Sequence, residues 1–408
     1  MSHITYLEAA VVGLIQGVSE LFPVSSLGHN VLLPALIGGS WASDLNVAKA
    51  SSPYLAFIVG MHVATALALL IYFWRDWVRI IGGFFSSVRH RQVQTRDQKL
   101  AWMIILATIP VGLVGVVADK PFREIFGKPI LAGVFLIING VILYCGEKFR
   151  PRASIQADQV VAAERDRELV SAAGPAGYHP AGPTYQAGPG GYPAGPGGYP
   201  ADPGGYQSGP GAYQGGPSEY GPAHDPFEAL YQAPRETPYR PGQPAPRAPG
   251  QAPRARHRQV SGHQALREEE LTQALAADER LVRIGYLKAL TIGAAQILAL
   301  LAGISRDGVT MVAGMTRGLS REDAARFAFL LATPVILAAG VLELPKLTGP
   351  LGNGIHGQIL VGSVLSFVGA YLSVRFLMKY FQTRTLTPFA VYCFVFGLLS
   401  VIYLGLIK

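Results

Sequence analysis

Two short polar stretches interrupt apolar regions of this sequence, and both contain residue types that could do chemistry. The first polar loop runs from Gln16 to His29 and reads QGVSELFPVSSLGH. The second polar loop runs from Ala302 to Thr310 and reads AGISRDGVT. Ionisable side chains are costly to keep inside a membrane, so there they mark functional sites more often than structural ones. We therefore predict that the two loops together form a functional site.

The first polar loop begins with a carboxylate that needs a partner. Gln16 and Glu20 are four residues apart and therefore project from one face of a helix. A buried Glu20 has to be paired, protonated or bound to a metal. It could be a structural acid satisfied by a neighbouring Arg or His, but we favour a functional role, because membrane-buried carboxylates are rare without one.

Hydroxyl groups and an imidazole follow the carboxylate. Ser25 and Ser26 supply hydroxyls, Gly28 permits a tight turn, and His29 can exchange a proton near neutral pH. This combination suits a nucleophile or a phosphate cradle, although serines also cap helices. Ser25, Ser26 and an activated water all stay open as the nucleophile. His62, in the middle of an apolar run, is interpreted as a packed or supporting histidine.

The second polar loop places a guanidinium at membrane depth. Arg306 could fork onto two oxygens of a phosphate. The alternative is an internal ion pair of Arg306 with Asp307 or Glu20. Hydroxyls and loop amides would take the remaining phosphate oxygens, and the residues that supply them are Ser305, Gly308 and Thr310.

The composition indicates a membrane protein. The 408 residues are 50% hydrophobic and 15% charged, which argues against a water-soluble globule. The net charge of +8 comes mainly from Lys and Arg near the ends of apolar runs and in a Pro/Gly-rich stretch, where cytoplasmic anchoring explains it, and no nucleic-acid-binding module is recognisable. Six apolar runs are long enough to cross about 30 Å of hydrocarbon; they lie near 54–74, 100–118, 129–146, 324–344, 357–378 and 388–406.

The two interrupted apolar regions, about 4–38 and 284–318, are copies of each other. Each is predicted to be two short helices around a re-entrant turn, because broken backbone survives in a membrane only where protein or water satisfies it. The predicted fold is an all-α polytopic membrane protein with an inverted-topology repeat, each half a re-entrant helix pair plus three transmembrane helices. A shift of 280 residues matches seven positions of the first copy to the second: Tyr6, Leu7, Ala9, Gly13, Gln16, Ser25 and Gly28.

A linker rich in Gly, Pro and Tyr separates the halves. We predict a first membrane repeat at 1–149, a disordered cytoplasmic linker with short flanking helices at 150–282, and a second, inverted repeat at 283–408. Lys and Arg cluster in the 75–99 loop and directly after residue 146, which places both on the cytoplasmic side and both termini outside.

These motifs resemble the undecaprenyl-diphosphatase family, also known as the bacitracin-resistance family. The resemblance implies an integral hydrolase of the bacterial plasma membrane that converts undecaprenyl diphosphate to undecaprenyl phosphate and inorganic phosphate, recycling the lipid carrier for peptidoglycan synthesis. It also implies a dependence on Mg²⁺ or Ca²⁺ and an active site open to the outer face. The similar stretches are Gln16 to Glu20, Pro23 to His29, Ser305 to Thr310 and residues 318–332.

The resemblance also implies a role for individual residues. Glu20 would serve the metal or act as the base, Ser26 would be the nucleophile or a phosphate ligand, His29 the acid/base and Arg306 the phosphate clamp. Gln16 and Asp307 are further candidate metal ligands of this sequence and are not carried over from the family. The sequence departs from the family's usual residues at Gln16, Leu27, Ala302 and Asp307.

Two other functions stay open at this point. The inverted repeat and the altered loops would also suit a transporter or flippase of the polyprenyl phosphate with weak or no phosphatase activity. The linker would suit a scaffold that recruits a cytoplasmic partner. A homodimer is a further expectation.

Overall fold

The structure is a computed structural model that describes residues 4–47, 52–126, 128–173, 262–349 and 351–406. These residues form helices joined by short connections, and none of them forms a strand. Most of the predicted linker, residues 174–261, lies outside the described residues, so its disorder stays a prediction.

The helices fall into two halves and a pair that flanks the linker. The first half contains α1 (Tyr6–Leu21), α2 (Ser26–Ile37), α3 (Gly39–Asp44), α4 (Pro53–Tyr72), α5 (Trp74–His90), α6 (Arg96–Phe126) and α7 (Pro129–Lys148). The flanking helices are α8 (Arg152–Ala173) and α9 (Gly262–Arg283). The second half contains α10 (Tyr286–Ala294), a 3-10 helix (Ala295–Leu300), α11 (Arg306–Thr316), α12 (Arg321–Thr348), α13 (His356–Tyr380) and α14 (Thr387–Leu406).

Six helices of the described chain are long and apolar enough to cross a membrane, namely α4, α6, α7, α12, α13 and α14. They coincide with the six predicted crossings. The prediction of an all-α polytopic membrane protein is therefore confirmed.

The first polar loop is a break between two short helices. A capping box of Thr5 and Glu8 starts α1, and the helix stops at Leu21 because Pro23 cannot continue it and disfavours helical backbone before it. Ser25 then caps α2 by accepting the Gly28 amide. The second polar loop is built in the same way. It begins with irregular backbone after the 3-10 helix, and within it Ser305 caps α11 by accepting the Gly308 amide.

Small residues let α1 approach α13 closely. A Cβ atom on Gly13 would overlap the backbone of Gly362, and one on Gly17 would overlap the backbone of Ser366. The two pairs have the same four-residue spacing on both helices, which is the small-xxx-small packing of membrane helices. The close approach fixes the helix that carries Gln16 and Glu20.

The linker-flanking helix α9 is held by buried charges. Asp278 is fully buried and accepts hydrogen bonds from Arg326 of α12 and Arg79 of α5, both at 2.8 Å. Burial alone would lower the pKa of Arg79, but its bonds to Asp278 and Asp76 outweigh burial and raise that pKa above its ordinary value. This network connects α9 to α5 of the first half and to α12 of the second half.

Replacing Gly13 with Ala should destabilise the protein. The added methyl group must push α1 away from α13, and overpacking of this kind costs about 1–3 kcal/mol. Thermal unfolding of the purified protein in detergent measures the change. Gly112→Ala on α6 is the matched control, because nothing lies within 4 Å of its added Cβ, so its stability should stay the same or rise slightly. Equal midpoints for the two variants would contradict the close approach.

Candidate active site

The two polar loops meet, as predicted for one shared site. The Ser25 hydroxyl oxygen accepts the amide of Gly28 in its own loop and the amide of Gly303 in the second loop, each at 3.2 Å. Ser25 has a left-handed backbone (φ 68°, ψ 98°), a strained conformation for a residue with a side chain. The strain is maintained by these two bonds, which hold the loops against each other.

A buried asparagine of α7 joins the same two loops. The Asn139 side chain donates to the Pro23 carbonyl and accepts the Ser305 amide, both at 3.0 Å. It also donates to the Cys393 sulfur at 3.3 Å. Buried backbone groups need partners within the protein. The Ser305 amide has Asn139, and the Pro23 carbonyl has Asn139 and, at 3.7 Å, the Cys393 thiol. Sequence reasoning missed this residue; its only signal was an amide in the middle of an apolar span.

Glu20 is the centre of the site. Its carboxylate, with a side chain only 3% exposed, accepts hydrogen bonds from the Gln16 amide at 2.8 Å and from the Ser26 hydroxyl at a very short distance. The Arg306 guanidinium lies 3.4 Å from one carboxylate oxygen, and His62 Nε2 lies 3.5 Å from the other. The structure thus brings together three of the four predicted catalytic residues, which are Glu20, Ser26 and Arg306.

His62 has a closer connection to this centre than its sequence position indicated. Its Nδ1 lies 2.9 Å from the Ile58 carbonyl, which can only accept a hydrogen bond. Only a protonated ring can donate from both nitrogens, so an ion pair of His62 with Glu20 requires the imidazolium. A protonated His62 would be a second cationic partner for Glu20, beside Arg306.

Gln16 is oriented by a chain of hydrogen bonds. Its amide oxygen accepts from the Asn30 side chain at 2.6 Å, and the Tyr54 hydroxyl donates to the Asn30 oxygen at 3.3 Å. The amide nitrogen of Gln16 consequently faces Glu20. In this orientation Gln16 holds the carboxylate and turns its own oxygen away from it.

The predicted acid/base His29 faces away from this centre. Its Nδ1 lies 2.7 Å from the Ser25 carbonyl, and its Nε2 lies 2.8 Å from the hydroxyl of Tyr392 on α14. The hydrogen of Ser26 is directed to Glu20 instead. Ser26 therefore has a carboxylate, rather than the imidazole, as its immediate proton acceptor.

Two polar atoms of the second loop are left without partners. Arg306 Nη1 and Asp307 Oδ2 are buried and make no hydrogen bond within the described parts of the chain. The neighbouring hydroxyls are in use, because Thr310 donates to the Arg306 carbonyl at 2.7 Å and Ser305 accepts the Gly308 amide at 3.1 Å. Arg306 Nη1 could donate to an anionic ligand, and Asp307 Oδ2 could bind the cation that accompanies that ligand.

The residues present fit a divalent cation that arrives with phosphates. No group of three or more His, Cys, Asp or Glu side chains suited to a metal occurs among the described residues. Mg²⁺, however, is commonly held by only one or two carboxylates together with substrate phosphates. Glu20 and the unpartnered oxygen of Asp307 meet that requirement. The two carboxylates offset the positive charge of Arg306. A diphosphate bound here would therefore need further positive charge, which a divalent cation supplies.

Comparisons with known proteins assign the chain to one group. The family described as "Bacitracin resistance protein BacA" matches residues 9–168 and 262–399. The undecaprenyl-diphosphatase of Mycolicibacterium paratuberculosis is 46% identical over 405 residues, which cover 99% of each chain. Undecaprenyl-diphosphatase 1 of Frankia casuarinae is 47% identical over the full length of both chains, and undecaprenyl-diphosphatase 2 of Burkholderia lata is 32% identical over 94% of this chain and 91% of its own.

Replacing Asn139 with Leu should disconnect the loops. The Ser305 amide would lose its partner, and an unsatisfied buried group costs about 1–3 kcal/mol. The Pro23 carbonyl would keep only the weak, long bond from the Cys393 thiol at 3.7 Å. We expect a clear drop in the thermal unfolding midpoint of the purified protein. Cys393→Ala is the matched control. It removes the bond from Asn139 to sulfur and the long bond from the Cys393 thiol to the Pro23 carbonyl, but it leaves both bonds of Asn139 to the loops, so it should lower the midpoint much less. A midpoint for Asn139→Leu that equals the control would contradict the proposed joining role.

Proposed function

The chain belongs to the bacitracin resistance protein BacA family, and on that premise we propose that it is an integral membrane phosphatase. It hydrolyses undecaprenyl diphosphate to undecaprenyl phosphate and inorganic phosphate. Relatives at 44–47% identity that span 98% or more of the chain carry the name undecaprenyl-diphosphatase. The observation that supports the activity most directly is the contact of the Glu20 carboxylate with the Ser26 hydroxyl, beside the Arg306 guanidinium.

Ser26 is the better nucleophile of the two serines. The oxygen of Ser25 already accepts two backbone amides, so its lone pairs are engaged in holding the loops. The oxygen of Ser26 instead donates its hydrogen to Glu20, which is the arrangement of a hydroxyl and its base. Ser26 also begins α2, where the helix N-terminus favours negative charge.

The reaction then follows from the positions of these groups. Glu20 takes the hydrogen of Ser26, whose oxygen bonds to the terminal phosphorus. The bond from that phosphorus to the bridging oxygen breaks, and undecaprenyl phosphate leaves. Water then gives up a proton and attacks the phosphoserine. The bond from phosphorus to the serine oxygen breaks, Glu20 returns its proton to that oxygen, and inorganic phosphate leaves. We propose His29 as the acid/base that takes up the proton of this water, because its ring nitrogens contact Ser25 and Tyr392, whereas the hydroxyl of Ser26 is directed to Glu20.

Arg306 is the phosphate clamp in this proposal. Its Nη1 is buried without a partner, while another nitrogen of the same guanidinium contacts Glu20. A phosphate oxygen would give the unpartnered group a charged acceptor. We propose Ser305, Gly308 and Thr310, with Ser25 and Gly28 of the first loop, as the substrate-binding residues. Their hydrogen bonds within and between the loops hold the shape of the cradle around Arg306.

We propose Mg²⁺ or Ca²⁺ as the cofactor. Glu20 and Asp307 would hold the ion, and Gln16 would hold Glu20 in place instead of offering an oxygen. When bound, a divalent ion neutralises charge on the diphosphate and on the transferred phosphoryl group.

The inverted repeat is also a proposal, supported by equivalent contacts in the two halves. Ser25 accepts the Gly28 amide in the first loop, and the matching Ser305 accepts the matching Gly308 amide in the second. Helix α1 packs on α13, and α10 packs on α6, which are equivalent pairs when the halves are exchanged. An inverted repeat of this kind places the polar turns of both halves together within the membrane.

The membrane placement follows from the basic residues. We propose a multi-pass protein of the bacterial plasma membrane with both termini outside and the linker in the cytoplasm, so that the 75–99 loop and the region after 146 face anionic lipid. In this location the enzyme recycles the lipid carrier for peptidoglycan synthesis and thereby supports cell wall biogenesis, cell shape and bacitracin resistance. A homodimer and a cytoplasmic partner of the linker stay predictions.

The transporter alternative is not favoured by the relatives, whose names are those of phosphatases. One experiment separates the two functions. Purified protein is given undecaprenyl diphosphate in detergent, and released phosphate is measured with and without added Mg²⁺ or Ca²⁺. A phosphatase releases phosphate in detergent, where no bilayer has to be crossed. Absence of release under all conditions, with translocation of the lipid in proteoliposomes, would establish the transporter instead.

Replacing Ser26 or Arg306 with Ala should lower kcat/KM for phosphate release at least about 100-fold, because Ser26 is the proposed nucleophile and Arg306 stabilises charge in the transition state. Matched controls are Ser43→Ala, at an exposed serine, and Arg283→Ala, at a side chain that is 74% exposed. Both controls should keep wild-type activity. Unchanged activity in Ser26→Ala would transfer the nucleophile's role to water activated by Glu20.

A further inference from the structure

The ring of His29 is held from three directions. Its Nδ1 lies 2.7 Å from the Ser25 carbonyl, its Nε2 lies 2.8 Å from the Tyr392 hydroxyl, and its plane is nearly parallel to two aromatic rings of α14. The centroids of His29 and Tyr392 are 5.8 Å apart with planes 4° from parallel, and those of His29 and Phe396 are 5.3 Å apart with planes 12° from parallel. Neither α14 residue belongs to the polar loops.

The hydrogen bonds assign one tautomer to the neutral ring. A carbonyl oxygen can only accept, so Nδ1 must carry the hydrogen in its bond to Ser25. In the neutral imidazole Nε2 is then a bare acceptor, and the Tyr392 hydroxyl must be its donor. The backbone of the first loop and the side chain from α14 together therefore specify which nitrogen of His29 can take up a proton.

Tyr392 is suited to this task by its position on the helix. The residue is 44% exposed, yet its hydroxyl points inward to a histidine that is only 7% exposed. The Asn139 amide contacts the next residue, Cys393, so this part of α14 is fixed to the same loop that carries His29. A donor on a fixed helix can hold a ring in one plane.

We propose that Tyr392 is a positioning residue of the phosphatase, acting through His29. Its hydroxyl donates to Nε2 and so keeps Nε2 as the proton-accepting nitrogen. Its ring, with that of Phe396, holds the imidazole plane in a fixed orientation relative to the first polar loop. This inference rests on the proposed phosphatase activity for its kinetic consequence. The contact between Tyr392 and His29 can be tested without that activity.

The kinetic test uses Tyr392→Phe, which keeps the ring stack and removes only the hydroxyl. Loss of one positioning hydrogen bond should lower kcat about three- to tenfold and leave KM within about twofold. In a His29→Gln background the same substitution should have no further effect, because the residue it acts through is absent. Tyr403→Phe, at a half-exposed tyrosine of the same helix, is the matched control and should behave as wild type.

A spectroscopic test does not depend on turnover. Full-length protein labelled with ¹⁵N-histidine gives imidazole signals, and the His29 pair is assigned by its loss in His29→Gln. Tyr392→Phe should shift the Nε2 signal and leave the Nδ1 signal, which reports the bond to Ser25, nearly in place. Tyr403→Phe should shift neither.

The outcomes separate this inference from the proposed function. An unshifted Nε2 signal in Tyr392→Phe overturns the contact, and an equal loss of kcat in the wild-type and His29→Gln backgrounds overturns action through His29. Failure of the wild-type protein to release phosphate, with the Nε2 shift present, overturns the phosphatase proposal and leaves only the contact. The proposal is supported if Tyr392→Phe shifts the Nε2 signal and lowers kcat in the wild-type background but not in the His29→Gln background.

Discussion

A carboxylate at membrane depth is stable only where donors and cations surround it, and this requirement at Glu20 organises the site. One amide, one hydroxyl, an imidazole and a guanidinium meet at its two oxygens. They come from α1, α2, α4 and α11, so four helices must keep their positions for Glu20 to remain charged. In the proposed function the same carboxylate is the base for Ser26, so the contacts that stabilise Glu20 would also prepare the reaction.

The second requirement comes from the broken helices. Their unpaired backbone groups need hydrogen-bond partners within the protein. Here those groups are satisfied by side chains that bridge the loops: Ser25 binds the Gly303 amide, and Asn139 binds both the Pro23 carbonyl and the Ser305 amide. Satisfying the backbone therefore joins the two loops. The need to hydrogen-bond the buried backbone of each interrupted span is therefore also the reason that the two loops share one site.

The site divides its polar residues between holding and reacting. Ser25 and Gln16 are engaged by their neighbours, whereas Arg306 and Asp307 each keep one buried atom without a partner in the described chain. Unsatisfied buried groups are unfavourable until a ligand pairs with them. The free donor and the free acceptor are thus the part of the structure that a phosphate and its cation would complete.

The sequence by itself determined the six spans, the two polar loops and the types of chemistry, because hydropathy and the spacing of polar residues are local properties of the chain. It identified Glu20, Ser26 and Arg306 as a group. Only the tertiary structure decided that Ser26 faces a carboxylate, that His62 belongs to the centre, and that Asn139 and Tyr392 support the loops. Asn139 lies 116 residues from Pro23, and Tyr392 lies 363 residues from His29. Contacts over such separations depend on how helices pack, which local pattern does not specify.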